Sequence, residues 1–168
     1  MCKIRYAAAY AAVIAGLAFS AAGPRALAAD AAADKEAGLI RIIQSNVPPQ
    51  DKAVPCKELA IYGTAKAVPA LAALLVDPNL SSWARIALEA IPDQAADEAL
   101  VQAVGKLKGR LLVGVVNSIG VRAYAKATGD LAGLLKNADE EVASAAAAAL
   151  GRIGTAQAAK ALEPCLAG

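Results

Sequence analysis

The sequence predicts an all-α fold in which pairs of helices stack into a solenoid. A short apolar run that ends in Gly or Pro occurs four times, and its last residues, Gly63, Pro92, Gly120 and Gly154, are separated by 29, 28 and 34 residues. Hydrophobic residues make up 58% of the 168 residues, whereas aromatic residues make up only 4%. Self-similarity at this period is typical of stacked helical repeats. An alanine-rich composition favours helices that pack closely.

The N-terminus has the pattern of a secretion signal. Lys3 and Arg5 precede an apolar run over residues 6–19, and the small residues at 26–28 suit signal peptidase. The run is shorter than the ~20 residues that a membrane-spanning helix needs. We therefore expect residues 1–28 to be a cleaved signal peptide and residues 29–34 a flexible lead-in. Residues 35–168 then form the repeat domain of a periplasmic or secreted protein that has no membrane span after cleavage.

Charge and residue types exclude several classes of function. The predicted signal peptide takes three of the 17 basic side chains and none of the 15 acidic ones, so the mature chain is nearly neutral. A nearly neutral chain lacks the excess of positive charge that nucleic-acid-binding proteins have, so we expect no nucleic-acid partner. The sequence contains no His, which excludes Ser-His and Cys-His nucleophiles, and Cys56 and Cys165 cannot assemble a zinc cluster. We predict no enzymatic activity, no cofactor and no metal, and two isolated, buried thiols.

The helices follow from apolar spacing and from the residues that interrupt it. Asp51 and either Ser81 or Ser82 are predicted N-caps, and Gly63 is a predicted helix end. Residues 111–116 are rich in β-branched side chains and resemble a strand in isolation, but the repeat context favours a helix. The extra length before Gly154 is expected within 122–129. The predicted helices cover 35–45, 51–62, 65–76, 81–91, a segment through 100–104, 110–119, a segment through 131–135, 142–153 and 156–166.

Two groups of carboxylates stand near helix starts. Asp93, Asp97 and Glu98 form one, and residues 139–141 form the other. Paired carboxylates can carry out acid–base chemistry or bind Ca²⁺. Capping and the helix macrodipole explain their positions without either role. We interpret both groups as helix-stabilising.

Residues 63–91 and 138–166 resemble HEAT repeats. HEAT repeats are two-helix units with an apolar first helix containing an early Pro, an Asp-rich turn and a second helix that ends in Ala-Leu-x-x-Ile-Gly, and both segments contain parts of this pattern. The period is shorter than the ~40–47 residues of long HEAT units and is similar to the compact bacterial subtype labelled PBS-lyase-like. This resemblance covers about residues 35–166 and implies an α–α superhelical solenoid of about four helix pairs plus a terminal helix. It does not imply bilin-lyase activity, because an exported chain without His fits that activity poorly.

In HEAT-like stacks the second helix of each pair lines the concave side, which the resemblance assigns to partner binding. Counted back from each landmark, positions −8, −5, −4 and −1 are predicted core, and positions −10, −7 and −3 face outward. Arg85 and Glu89 also fit a simple ion pair on a solvated face, and Trp83 also fits the core. Val113 is an unexpected apolar residue on this face. The candidate protein-binding residues are Ser82, Trp83, Arg85, Glu89, Arg110, Val113 and Asn117.

The sequence therefore predicts a non-enzymatic, protein-binding scaffold of the bacterial cell envelope. The alternative is an accessory region or N-terminal fragment of a larger exported redox or hydrolytic assembly. The helix over 156–166 has apolar residues without a partner helix. We expect either that the array continues or that this end self-associates through the C-terminal helix, with Cys165 as a candidate contact.

Overall fold

The computed structural model describes residues 24–166 and confirms the all-α fold class. Within this range there are nine α-helices and no strand. Short 3₁₀ turns, Ala65–Ala67 and Leu74–Val76, flank α3, and a third, Ala125–Ala127, precedes α7. The predicted signal peptide falls mostly on residues 1–23, which lie outside the described residues. The helices are α1 (Pro24–Gln44), α2 (Pro49–Tyr62), α3 (Val68–Ala73), α4 (Ser81–Ala90), α5 (Gln94–Val104), α6 (Gly109–Val121), α7 (Thr128–Leu134), α8 (Glu140–Ile153) and α9 (Ala156–Leu166).

Residues Ala32–Gly168 form one compact unit built from two layers of helices. We call α2, α4, α6 and α8 the second-helix layer, because each is the second member of its pair. Successive members of this layer contact one another, and these contacts are more extensive than those of α3 with α5 or α7 with α9. The helix pairs thus stack one on the next along the chain, as in a helical solenoid. In the other layer, α9 packs on α7 and α8 as a terminal helix without a second helix of its own.

The predicted core positions of the second helices are buried. Ala84, Ala87, Leu88 and Ile91 are at most 1% exposed. The corresponding set in α8, Ala146, Ala149, Leu150 and Ile153, is at most 9% exposed. Residues 111–116 lie within α6, which confirms the helical interpretation and rejects the strand. The helical stripe of period 3.6 therefore identifies the core correctly in α4 and α8.

The repeated Gly and Pro residues have different structural roles. Gly154 has φ 63° and ends α8 in the left-handed conformation, as a C-terminal glycine should. Gly120 does not end its helix, because α6 continues to Val121 and the left-handed turn falls on Ala123, with φ 49°. A Cβ on Gly120 would lie 2.9 Å from the Cα of Ala149. Gly120 is thus a contact point between α6 and α8, and part of the extra length before Gly154 is the longer α6.

Several predicted helix starts need correction. Helix α2 begins at Pro49 without a side-chain cap, so Asp51 is not its cap. Neither Ser81 nor Ser82 caps α4, whose preceding turn is held by Asp77 Oδ1 accepting from the N–H groups of Asn79 and Leu80. Residues 29–34, the expected flexible lead-in, lie within α1. Among residues 24–166, no helix combines the length and the hydrophobicity that crossing a membrane requires.

Candidate functional site

Trp83 lies at the edge of an open groove between α2 and α4. Its exposed fraction is 37%, so of the two interpretations of this side chain the structure rejects the core and agrees with an exposed position. The groove has a volume of about 460 Å³ and is lined by Trp83, Leu80 and Asn79 on one side and by residues of the first turn of α2 on the other. A half-exposed indole beside a groove is the kind of side chain that anchors protein interfaces.

Three further apolar side chains are exposed on the same two helices. Val54 and Ile61 of α2 are 63% and 73% exposed, and Ile86 of α4 is 46% exposed. We call Val54, Ile61, Trp83 and Ile86 the apolar surface. Of these four, only Trp83 was predicted from the sequence, because the predicted outward positions −10, −7 and −3 do not include Val54 and Ile61. In α2 the exposed residues 50, 54, 57 and 61 follow helical spacing, which is the signal that identifies them.

Arg85 and Glu89 join α4 to α6 instead of standing free on a solvated face. Arg85 Nη1 donates to the carbonyl oxygen of Gly114 and to Ser118 Oγ, both at 3.2 Å. Ser118 Oγ in turn donates to Glu89 Oε1 at 2.6 Å. The Arg85–Glu89 ion pair itself is long, at 4.0 Å, and both side chains are about three-quarters buried. These two predicted site residues therefore have a structural role in linking neighbouring repeats.

The remaining predicted residues are spread along α6 and the start of α4. Ser82 and Arg110 are exposed, whereas Val113 and Asn117 are half-buried. Val113 packs against the core and borders a shallow depression that Glu140, Glu141 and Ser144 of α8 also line. Asn117 Oδ1 accepts a hydrogen bond from Arg152 Nη1 at 3.5 Å. The predicted set thus occupies one layer without converging on one pocket.

Arg122, which the sequence analysis placed in a connection, joins three helices. Its Nη1 donates to the carbonyl oxygens of Leu88, Glu89 and Ile91 at 2.8–3.0 Å, where α4 ends without intrahelical partners. Its guanidinium also pairs with Asp97 in the first turn of α5, and both side chains are only 11–12% exposed. Arg122 is therefore a cap that ties the second repeat to the third.

The two groups of carboxylates are engaged in helix starts, as predicted. Asp93 Oδ1 accepts from the N–H of Ala95, and Asp139 Oδ1 accepts from the N–H groups of Glu141 and Val142. Glu98 accepts from Gln94, and Asp97 pairs with Arg122. In the described residues no three His, Cys, Asp or Glu side chains converge as metal ligands would.

The two cysteines of the repeat domain lie in different environments. Cys56 is fully buried, and burial raises the pKa of its thiol to about 11, with a smaller lowering by Lys52. Cys165 is exposed on α9, so the prediction that both thiols are buried is wrong for this one. Both thiols are free, as the distance between the ends of the array predicts.

The stacked helix pairs are those of an α-helical repeat protein. Comparison with known proteins finds a matching family over part of the chain. Residues 109–168, which include α6 to α9, match the family described as HEAT repeats. The match spans somewhat more than a third of the chain, and it makes these C-terminal helices similar to HEAT repeats.

One solved structure similar to this chain is the crystal structure of an engineered protein from the Northeast Structural Genomics Consortium. The two share 22% identity, with a TM-score of 0.46 over 77% of this chain and 66% of that one. The chain thus spans slightly less than two thirds of the engineered protein. A search of the curated proteins found no match.

Proposed function

We propose that the protein is a non-enzymatic scaffold that binds another protein on its second-helix layer. HEAT repeats are in general protein-interaction modules, which supports the class of function for the C-terminal repeats. The observation that carries the proposal for this chain is the apolar surface. Three of its four side chains are more than 40% exposed, and Trp83 stands beside a groove. Exposed large apolar side chains that share one face are typical of interaction sites.

The apolar surface offers binding energy that the rest of the layer does not. Covering apolar area contributes roughly 25 cal/mol per Å², and aromatic residues at interface centres are enriched among those that dominate affinity. On α8 the exposed residues include Ser144 and Ala148, which offer little apolar area. The partner is therefore expected to contact α2 and α4 with its own apolar side chains.

The binding site is tested by capturing partners with the purified chain and its variants. Trp83→Ala is expected to reduce capture, whereas Lys160→Ala on the exposed side of α9 is not. Circular dichroism spectra and melting curves establish that both variants are folded. Equal capture by the two folded variants would contradict a role for Trp83.

We propose further that this scaffold works in the bacterial cell envelope and is of the compact, PBS-lyase-like HEAT type. The basic residues, the apolar run and the small residues at 26–28 support export. Mass spectrometry of the protein from its native cells should find a mature N-terminus at Ala29 or within a few residues of it. An intact Met1 on protein recovered from the periplasm would contradict this proposal.

A further inference from the structure

A small polar pocket lies where the N-termini of α4 and α6 meet. The two helices run parallel. Arg85 of α4 contacts Gly114 and Ser118 of α6, which lie about one repeat, 29 and 33 residues, further along the chain. Their N-termini therefore lie at the same edge of the second-helix layer. The pocket between them has a volume of about 260 Å³ and is lined by Pro78, Ser81, Ser82, Arg85, Arg110 and Leu111.

Both helix ends direct positive electrostatic potential toward this pocket. Neither α4 nor α6 has an acidic residue in its first turn, whereas α2 has Asp51 and α8 has Glu140 and Glu141. A helix N-terminus carries the equivalent of about half a positive charge. In the first turn of α6, Arg110 adds a further positive charge at a position where a carboxylate would be favourable. Two such ends side by side favour an anion at this edge, although Asp77 offsets part of the positive potential at the start of α4.

The pocket also has donors that no described residue satisfies. Ser81 is 97% buried, and its Oγ has no hydrogen-bond partner among the described residues. The Nε of Arg85 also has no partner among those residues, but it packs against Gly114 of α6, where a Cβ would lie 2.8 Å from it, so it is not a donor to the pocket. A buried donor left without a partner costs about 1–3 kcal/mol, so an acceptor in the pocket would recover that cost. Arg110 has no ion pair within the described part of the chain.

The nearby carboxylates do not occupy the pocket. Asp77 precedes α4 and accepts from the N–H groups of Asn79 and Leu80 within its own turn. Glu89 lies one turn further along α4, where it accepts from Ser118. Neither residue lines the pocket. Among the described residues, those that line the pocket thus supply cations, hydroxyls and helix N-termini but no carboxylate.

We propose that this pocket binds a carboxylate presented by an acidic segment of the protein partner. The inference rests on the proposed scaffold function and assigns the partner a negatively charged group beside its apolar one. Arg110 and Ser82, which are exposed at the pocket, can donate to a carboxylate, and the Ser81 hydroxyl can do so if its side chain rotates; charge-assisted hydrogen bonds of this kind are the strong ones. The apolar surface begins at the adjacent Trp83, so one extended peptide segment can reach both sites.

The test is an NMR titration of the ¹⁵N-labelled full chain with three probes. Acetyl-tetraglutamate amide is expected to shift the amide signals of Ser82, Trp83, Arg110 and Leu111. Acetyl-tetraglutamine amide should leave them unchanged, and inorganic phosphate should bind more weakly than tetraglutamate. Tighter binding of phosphate than of tetraglutamate would overturn the proposal in favour of an inorganic oxyanion site. Absence of shifts with every probe would overturn it outright.

Variants locate the binding and separate it from the scaffold function. Arg110→Gln should weaken tetraglutamate binding about five- to tenfold, because a charged donor is lost from an exposed position without disturbing packing. Lys160→Gln, the matched control, should leave it unchanged. Ser81→Ala should weaken binding while keeping or raising the melting temperature, since it removes an unsatisfied hydroxyl. Unchanged affinity in Arg110→Gln would contradict the pocket.

The apolar surface provides the control for the scaffold itself. Ile86→Ala, which keeps the charge of α4, should leave binding of tetraglutamate unaltered while it reduces capture of the protein partner. A chain that binds the peptide but captures no protein would overturn the scaffold function and leave the pocket. A chain that captures its partner equally well with Arg110→Gln would overturn the pocket's role in partner binding alone.

Discussion

The N-terminal and C-terminal halves of the second-helix layer carry different kinds of side chain at the same exposed repeat position. Ile86 of α4 and Ala148 of α8 both lie six residues before their landmarks, and both are exposed. Eight of the nine large, exposed apolar side chains in the described residues lie before residue 90, and Val121 is the ninth. The C-terminal repeats instead place small residues there and pack closely, with Gly120 against Ala149.

This difference separates what makes the fold from what makes a binding surface. The part of the chain that matches the HEAT family is the C-terminal part, whose exposed face is small and polar. The part with the apolar surface lies outside that match. A family pattern records the buried positions that every repeat needs, whereas the residues that select a partner are free to vary.

The largest expected difference between the two ends is the reactivity of their cysteines. In a Cys2→Ser background, a thiol reagent at neutral pH should modify exposed Cys165 readily and Cys56 at least about a hundredfold more slowly. Burial raises the pKa of Cys56 from 9.0 to about 11, which lowers its thiolate fraction at neutral pH by that factor. Mass spectrometry of the labelled peptides gives both rates. Slow labelling of Cys165 would mean that a further repeat or a second copy covers α9.

Of the substitutions considered, loss of Arg122, which ties the second repeat to the third, should reduce the free energy of unfolding the most. Arg122→Gln is expected to lower the free energy of unfolding by about 3 kcal/mol, because it leaves Asp97 and the carbonyl groups of Leu88 and Glu89 without this donor. Lys126→Gln, an exposed neighbour, should change it by less than about 0.5 kcal/mol. Urea denaturation measures both. Equal stability of the two variants would show that Arg122 does not join the repeats.

Close packing of the C-terminal repeats predicts opposite effects for two glycines. Gly120→Ala should destabilise the protein by about 2 kcal/mol, because the new Cβ meets Ala149 at 2.9–3.0 Å. Gly151→Ala in α8 meets nothing within 4 Å and should stabilise the protein by about 0.5–1 kcal/mol. Thermal melts of the two variants test this. A Gly120→Ala variant as stable as the original would contradict the packing of α6 on α8.

The fold could be predicted from the sequence because its determinants are local and periodic. The apolar stripe of α8 and the left-handed turn at Gly154 both follow from spacing and residue type. The end of α6 did not follow, since Gly120 has the same sequence signature as a helix end and serves as a contact instead. A single sequence does not reveal which glycine faces another helix.

The candidate site was predicted less well, because its residues are positioned by tertiary contacts between repeats. Arg85 and Glu89 fit an exposed pair at spacing i, i+4, but Ser118 of the next repeat engages both. Arg122 fits a loop, yet it reaches back 31–34 residues to the end of α4. Val54 and Ile61 were missed because they lie at −9 and −2 from Gly63, whereas the positions predicted to face outward were −10, −7 and −3. The first two cases depend on contacts between repeats, which local periodicity does not encode.

The central claim is that the apolar surface of α2 and α4 binds a protein partner, and one matched pair of variants tests it most directly. Ile86→Glu and Ala148→Glu place the same charge at the same repeat position, both on exposed sites that tolerate it. The tagged variants are expressed in native cells and cross-linked, and the partners they retain are quantified by mass spectrometry. We expect Ile86→Glu to reduce the partner signal at least about tenfold, as for a residue central to an interface, whereas Ala148→Glu should leave the signal unchanged. Equal retention by both folded variants would contradict the claim.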